Sequence, residues 1–185
     1  SEYNARVSAQ KLSSIRKKTA KVFSERVREE MSFLNMPNVQ IVTQFENTDF
    51  YEKGTDKVEF LISANPGEPP VAKIASGGEL SRMMLAIKTV LASTEDIDTL
   101  IFDEVDTGIS GSAAQKVGLK LKEVSKSSQV LCVTHQAQLA ALADAHYLIS
   151  KQVEDGRTFT QVKLLDFDGR KHELARIIGG VNITD

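Results

Sequence analysis

The sequence predicts an α/β protein with a mostly parallel sheet flanked by helices and a long N-terminal helix. Two apolar runs, TLIFDE and QVLCVTH, each lead into a helical segment. This strand–helix–strand alternation after Leu80 is typical of parallel strands. In front of them, residues 2–34 are polar and contain neither Gly nor Pro. At 185 residues, the chain is long enough for one ordinary domain with a core.

The composition is that of an ordinary globular protein and excludes several classes. The formal net charge of −2 gives no bulk attraction to nucleic acid, although a local basic patch stays possible. Cys132 is the single cysteine, which excludes an intrachain disulfide framework and fits a reducing cytosol. No signal peptide and no membrane-spanning apolar run is evident. We therefore expect a cytoplasmic protein without membrane contact.

The elements of the N-terminal part follow from periodicity. Residues 2–34 carry a loose helical stripe of apolar residues, which fits either the end of a coiled-coil arm from a longer chain or an ordinary amphipathic surface helix. VQIVTQF and KVEFLISAN alternate as two strands around a turn at Gly54. A helix is predicted over about 79–93.

The C-terminal part alternates strands and helices. The predicted elements are a buried strand at 99–104, a helix at 112–126, a buried strand at 129–135, a short helix at 136–144, a hairpin of 146–153 with 157–166, and a helix at 170–180.

The stretch ASGGELSR places two glycines directly before a helix. Ser76 and Glu79 fit a capping box, which leaves Gly77 and Gly78 unexplained. A helix N-terminus offers unpaired N–H groups and a partial positive charge, and residues without Cβ let an anion approach them closely. The pattern therefore favours phosphate binding, although Gly-Gly turns are common.

Asp103 and Glu104 end an apolar strand. Adjacent carboxylates at that place are costly without a cation or a proton-handling role. If the strand persists, alternation sends the two side chains to opposite faces, so that one holds a metal-bound water and the other faces a reacting group. An acidic N-cap or a surface turn is the alternative, and it explains one acid more easily than two.

His135 closes the second apolar strand, where α/β sheets bind ligands. We expect it beside Glu104 on the neighbouring strand, with its ring available to a phosphate oxygen. Asp106 lies just past the acids, in a stretch that alternatively forms a simple turn with Gly108. Arg82 is either a solvated charge or a phosphate or DNA contact. His146 and His172 lack such a context and are expected to be structural or exposed.

In order, the chain contains SGGELSR, LIFDEVDTGISG and VTH. This ordered set resembles the ABC-type ATPase heads of the SMC and Rad50 branch. IASGGELSR, IFDEVDTGISG, VTHQAQLA, HYLISK and ELARIIGG are most similar to the RecN family of bacterial DNA double-strand-break repair ATPases. The resemblance covers most of the chain from about Met36 onward. It implies the end of a coiled-coil arm at 1–35 and the C-terminal half of an ABC-type head at 36–185.

The resemblance also implies roles. Ser76, Gly77, Gly78 and Glu79 match the signature motif, which contacts the γ-phosphate of ATP held by the opposite head. Asp103 matches the Walker-B acid that supports Mg²⁺ through water, and Glu104 matches the carboxylate that orients or deprotonates the attacking water. Asp106 falls in the D-loop, and His135 matches the switch histidine.

One departure from the family pattern concerns the phosphate loop. No G-x-x-x-x-G-K-[ST] occurs in the sequence. The family carries the phosphate loop in an N-terminal segment, on the other side of the coiled coil. The resemblance therefore implies that this segment, a second head and DNA are partners of the chain, and that ATP and Mg²⁺ are its cofactors. The fragment alone is then expected to be inactive and to expose an apolar face where half of its sheet is missing.

Two other functions fit parts of the pattern. A non-catalytic module that dimerises or tethers DNA is favoured by the missing phosphate loop and opposed by the paired acids. The ATPase subunit of a transporter is weaker, because such signatures usually carry Gln where this chain has Glu79. The resemblance implies a nucleoid-associated location in a bacterial cytoplasm.

Overall fold

A computed structural model describes residues 2–63, 77–92, 94, 97–154 and 156–179. The described residues form two compact units, one up to Ile97 and one from Asp98 onward. In chain order the elements are α1 (Glu2–Phe33), β1 (Gln40–Tyr51), β2 (Gly54–Ser63), α2 (Gly77–Leu91), β3 (Thr99–Phe102), α3 (Gly111–Val124), β4 (Gln129–Cys132), α4 (Ala137–Ala140), β5 (Tyr147–Glu154), β6 (Arg157–Leu164) and α5 (Phe167–Gly179).

The first unit combines the predicted long helix with an antiparallel hairpin. Strands β1 and β2 pair from Gln40 opposite Ser63 to the turn at Gly54. Near that turn Asp56 is buried, and its carboxylate accepts a hydrogen bond of 2.8 Å from the Ser13 hydroxyl on α1. Arg16 adds an ion pair at 3.4 Å. The turn end of the hairpin is therefore fixed to the helix by a satisfied buried carboxylate.

The core of the first unit lies where the C-terminal part of α1 packs against α2. Met31, Leu34 and Leu85 are fully buried, and Met83 is nearly so. Burying each of these side chains contributes roughly 1.5–3 kcal/mol. This core supports the first turns of α2, which carry the glycine pair.

The second unit contains the predicted parallel pair. Strands β3 and β4 run parallel, with Thr99 opposite Gln129 and Phe102 opposite Cys132. Both strands are shorter than predicted. They are also not buried on both faces: Ile101 is 71% exposed, and Leu131 and Val133 are exposed too. The expectation of fully buried strands is thus wrong, because only one face of this two-stranded sheet is covered. The prediction that the chain exposes an apolar face is confirmed.

A mostly parallel sheet is too broad a prediction for the described strands. Of their three pairs, β1–β2 and β5–β6 are antiparallel. Each of these pairs is joined by a connection of two residues, which permits only antiparallel pairing. The hairpin of β5 and β6 agrees with its prediction, and β6 is exposed along its whole length.

Helix α4 is shorter than the predicted 136–144. After Ala140 the backbone tightens, because the N–H of Leu142 donates to the carbonyl of Leu139 at 3.0 Å. The guanidinium of Arg170 on α5 donates to the carbonyl of Ala143 at 2.7 Å. This bond satisfies a carbonyl that the end of the helix leaves without a helical partner. Among the described helices, none has the length and apolar character needed to cross a membrane.

Candidate functional site

The carboxyl ends of β3 and β4 form the edge that carries the predicted chemistry. The pairing continues one step past the strands, because the N–H of Val133 donates to the carbonyl of Phe102 at 2.9 Å. The segment with Asp103 and Glu104 and the segment ending at His135 therefore leave the sheet side by side. This edge is the usual ligand-binding place of an open α/β sheet.

Glu104 has an unusual backbone conformation. Its φ is +56°, in the left-handed region that non-glycine residues rarely adopt. Its carbonyl accepts a hydrogen bond of 3.0 Å from the N–H of Thr107, which closes a turn directly after the strand. The predicted strand over 99–104 ends at Phe102, so the condition for alternation of Asp103 and Glu104 is not met. Both carboxylates are exposed at the edge.

Asp106 joins the two segments of the edge. Its residue is 1% exposed, and its Oδ2 accepts hydrogen bonds from the Thr134 hydroxyl and, at 3.2 Å, from the His135 N–H. The Thr134 hydroxyl oxygen in turn accepts from the Gln136 N–H at 3.0 Å. The simple-turn alternative for Asp106 is thus incomplete, because this carboxylate is buried and bonded to the neighbouring loop.

His135 presents its ring to solvent beside this network. The side chain is 73% exposed, and its Nδ1 lies 3.6 Å from Oδ2 of Asp106. The backbone of His135 is held while its ring stays accessible. Such a ring is available to an incoming ligand.

The acids give the edge a negative electrostatic character, which also acts on the nearby thiol of Cys132. Burial, and after it the charges of Asp106 and Asp103, raise the pKa of Cys132 to about 12. Three carboxylates within four residues favour a cation at this edge.

The carboxylates at this edge suit a Mg²⁺ ion that is bound by only one or two protein ligands. Within the described parts of the chain, no group of three or more His, Cys, Asp or Glu side chains is placed to hold a metal ion. Mg²⁺ does not require such a cage, because it commonly takes one or two carboxylates and completes its shell with water and substrate phosphate. Asp103, exposed directly after β3, is suited to that arrangement.

The predicted signature stretch lies in the first unit. Ser76 falls outside the described residues, and α2 begins at Gly77. Gly77 is exposed, Gly78 is buried and Glu79 is half-buried in the first turn. A carboxylate in the first turn favours the helix through its dipole, and the first N–H groups lack helical partners.

Arg82 lies one turn further along α2 and is only 6% exposed. The solvated-charge interpretation of Arg82 is therefore wrong. His172 is exposed and His146 is half-buried, in line with the expectation of exposed or structural roles.

Sequence reasoning missed Thr134. Its hydroxyl links Asp106 to the Gln136 N–H, and these three residues come from two different loops. A Thr directly before a His at a strand end is the only signal in the sequence, and it does not identify the partner acid.

Solved SMC head domains share the fold of this chain. The SMC head domain with a coiled coil and joint from Pyrococcus yayanosii matches with a TM-score of 0.63 at 20% identity, over 89% of this chain and 30% of that chain. A structure from work on ATP-driven dimerization and DNA-stimulated activation of SMC ATPases matches with a TM-score of 0.52 at 21% identity, over 89% of this chain and 96% of that chain. The chain thus has the fold of part of an SMC-type head.

Curated DNA repair proteins named RecN are similar to nearly the whole chain. RecN of Halalkalibacterium halodurans is 44% identical over 181 residues, which cover 94% of this chain and 32% of that protein. RecN of Bacillus subtilis is 44% identical over 197 residues, covering 97% and 34%. The chain is therefore a RecN-like segment, and it spans about a third of the length of the curated relatives it matches. No protein-family model matches the chain.

Proposed function

We propose that this chain is the hydrolytic half of a RecN-like ATPase head, which acts on ATP only when the rest of the head is present. The observation that carries the proposal is the parallel pair β3–β4, whose carboxyl edge holds Glu104 beside the loop of His135. In this proposal Glu104 orients or deprotonates the attacking water. His135 donates to an oxygen of the γ-phosphate.

The reaction would also need Mg²⁺ and a phosphate loop. Asp103 would hold Mg²⁺ through water, and the ion would neutralise charge that develops on the phosphates. The phosphate loop would come from the N-terminal half of the same head, because this sequence contains none. Phosphoryl transfer depends on positioning and charge stabilisation, so an incomplete head should lose nearly all activity.

The signature stretch would act in a second copy of the head. The N-terminus of α2, with Gly77, Gly78 and Glu79, would be an anion site for the γ-phosphate held by that copy, together with Ser76, the residue before it in the sequence. The complete protein would then be a head homodimer that acts on DNA in double-strand-break repair, in the bacterial cytoplasm at the nucleoid. Residues 1–35 would be the base of its coiled-coil arm and residues 36–185 its half-head.

The experiment that tests the hydrolytic role is Mg²⁺-dependent ATP hydrolysis by the chain alone and after mixing with the remaining part of the protein. We expect activity only in the mixture. Glu104→Gln should keep ATP binding and lower turnover by roughly 10²- to 10⁴-fold, the range of general acid–base catalysis. Glu154→Gln, a matched change of an exposed carboxylate on β5, should leave turnover unchanged. Normal turnover of Glu104→Gln would remove Glu104 from this role.

The contact between heads has its own test. Gly77→Asp places a negative side chain at the exposed first residue of α2, where a phosphate would approach, so ATP-dependent head dimerisation should be lost while circular dichroism stays that of the parent. Analytical ultracentrifugation with and without ATP measures this. Dimerisation that persists in the variant would contradict the trans contact.

A second function, a non-catalytic module that dimerises or tethers DNA, is favoured by the exposed apolar face. Ile101, Leu131 and Val133 lie on that face of the β3–β4 pair, and apolar patches of this kind mark interaction surfaces. The mixing experiment separates the two functions. Association of the halves without hydrolysis would support the module and exclude the ATPase.

A further inference from the structure

We propose that Asp106 is a positioning residue that fixes the loop carrying His135, acting through Thr134. The claim deepens the proposed function, because it assigns a cause to the placement of the switch histidine within its own head. Its structural part stands independently, since it concerns hydrogen bonds within the second unit alone.

The hydrogen bonds of the Asp106 carboxylate run to the loop of His135. Within the described residues, Oδ2 accepts from the Thr134 hydroxyl and from the His135 N–H, while Oδ1 has no hydrogen-bond partner. All described side-chain hydrogen bonds of this carboxylate therefore run to one loop. A carboxylate that is 1% exposed is costly unless it is bonded, so these bonds also stabilise the buried position of Asp106.

The hydrogen bonds of the Thr134 hydroxyl have a fixed direction. The Gln136 N–H is a donor only, so Thr134 Oγ1 must accept from it and must use its own hydrogen toward Asp106. The order Gln136, Thr134, Asp106 is thus fixed. Bonds to an ionised acceptor are about twice as strong as neutral ones. One carboxylate consequently orders three successive residues, Thr134 to Gln136.

The same network holds the backbone of His135 and leaves its ring exposed. The backbone N–H of His135 is bonded at 3.2 Å, and its ring is 73% exposed with Nδ1 3.6 Å from Oδ2. The loop is held and the ring faces solvent, which is the arrangement needed to aim a side chain at a ligand. Removing a residue that hydrogen-bonds to a metal ligand typically lowers metal affinity or activity 10- to 100-fold. We expect a loss of activity in the same range when the bonds that hold the His135 loop are removed.

Amide hydrogen exchange measured by NMR on the 185-residue chain tests the structural part. In Asp106→Ala the amides of His135 and Gln136 should exchange at least tenfold faster than in the parent chain. Thr134→Val keeps the shape of the side chain and should speed exchange of the Gln136 amide, whereas Thr134→Ser restores the hydroxyl and the parent rate. Asp144→Ala, which removes an exposed acid paired with Lys122, is the matched control and should change neither amide.

The functional part is tested by ATP turnover of the complete RecN-like protein. Asp106→Ala and Thr134→Val should each lower kcat by 10- to 100-fold with KM for ATP changed less than threefold, and Thr134→Ser should recover kcat. In a His135→Ala background, Thr134→Val should have no additional effect, because Thr134 acts only through the loop that carries His135.

The outcomes distinguish this proposal from the proposed function. Parent exchange rates in both Asp106→Ala and Thr134→Val would overturn the positioning role, whatever the turnover. A further loss of kcat when Thr134→Val is added to His135→Ala would also overturn it. Failure of Glu104→Gln to affect turnover would overturn the proposed function alone, and the exchange rates would still decide the role of Asp106.

Discussion

The left-handed conformation of Glu104 predicts that a glycine at this position makes the protein more stable. A side chain with a Cβ costs about 1–2 kcal/mol in this region, and the φ of Glu104 is +56°. Glycine also gains freedom in the unfolded chain, which offsets about 0.4–1 kcal/mol. The Glu104 carboxylate makes no hydrogen bond or ion pair with the described residues, so little is lost with it. We expect a net gain of about 0.5–1 kcal/mol in the free energy of unfolding for Glu104→Gly.

Urea denaturation followed by far-UV circular dichroism measures this gain. With a urea dependence of about 1–3 kcal/mol/M, the midpoint should rise by roughly 0.2–1 M. Glu104→Ala is the matched control, because it removes the same charge next to Asp103 and Asp106 and keeps the Cβ. Equal midpoints for the Gly and Ala variants would refute the argument from backbone strain. If Glu104 also has its proposed role, the more stable Gly variant should be inactive in the complete protein.

Two pKa shifts give further predictions. The pKa of Cys132 is raised to about 12, so the folded chain should be alkylated by iodoacetamide at pH 8 roughly 10³-fold more slowly than the urea-unfolded chain, as mass spectrometry can measure. Because this pKa lies above its ordinary value of 9.0, the folded state binds the extra proton, and stability should fall as the pH rises above about 9. The hydrogen bonds from Arg176 lower the pKa of Glu173 from its ordinary value of 4.5, so its contribution to stability is present above pH 4.5 and is lost as the pH falls through the lowered pKa. Urea midpoints measured between pH 6 and 3 should therefore fall more steeply for the parent chain than for Glu173→Gln, and parallel curves would contradict this.

The succession of helices and strands was predictable because each element carries its own periodic pattern. The long helix and the β5–β6 hairpin lie close to their predicted positions, whereas β1 runs past its predicted end at Phe45 to Tyr51. The parallel pairing of β3 and β4 was predictable as well, since the helix α3 between them permits a crossover connection. Burial was not predictable in the same way, because an apolar run such as TLIFDE has the same letters whether one or two faces of its strand are covered. In this run Phe102 is buried, whereas the neighbouring Ile101 is exposed.

The candidate site, too, was predictable in its residue types and not in its tertiary contacts. The residue types of the candidate site and their position at strand ends follow from the sequence, which predicts Asp103, Glu104 and His135 at this edge. The bond from Thr134 to Asp106 joins residues 28 positions apart and depends on tertiary packing. The positive φ of Glu104 was also hidden, because Glu gives no local signal for a left-handed turn.

These two hidden features have one physical origin. A strand that continued past Phe102 would send Asp103 and Glu104 to opposite faces and would carry Asp106 away from β4. The turn at Glu104 instead reverses the chain immediately, which exposes both acids at the edge and returns Asp106 into the interior beside Thr134. The strain at Glu104 is therefore linked to the burial of Asp106, and the hydrogen bonds of Asp106 help to stabilise the turn that contains the strained residue. On this argument Asp106→Ala should weaken the turn as well as the His135 loop, and exchange of the Thr107 amide, which is bonded to the Glu104 carbonyl, should accelerate with that of His135.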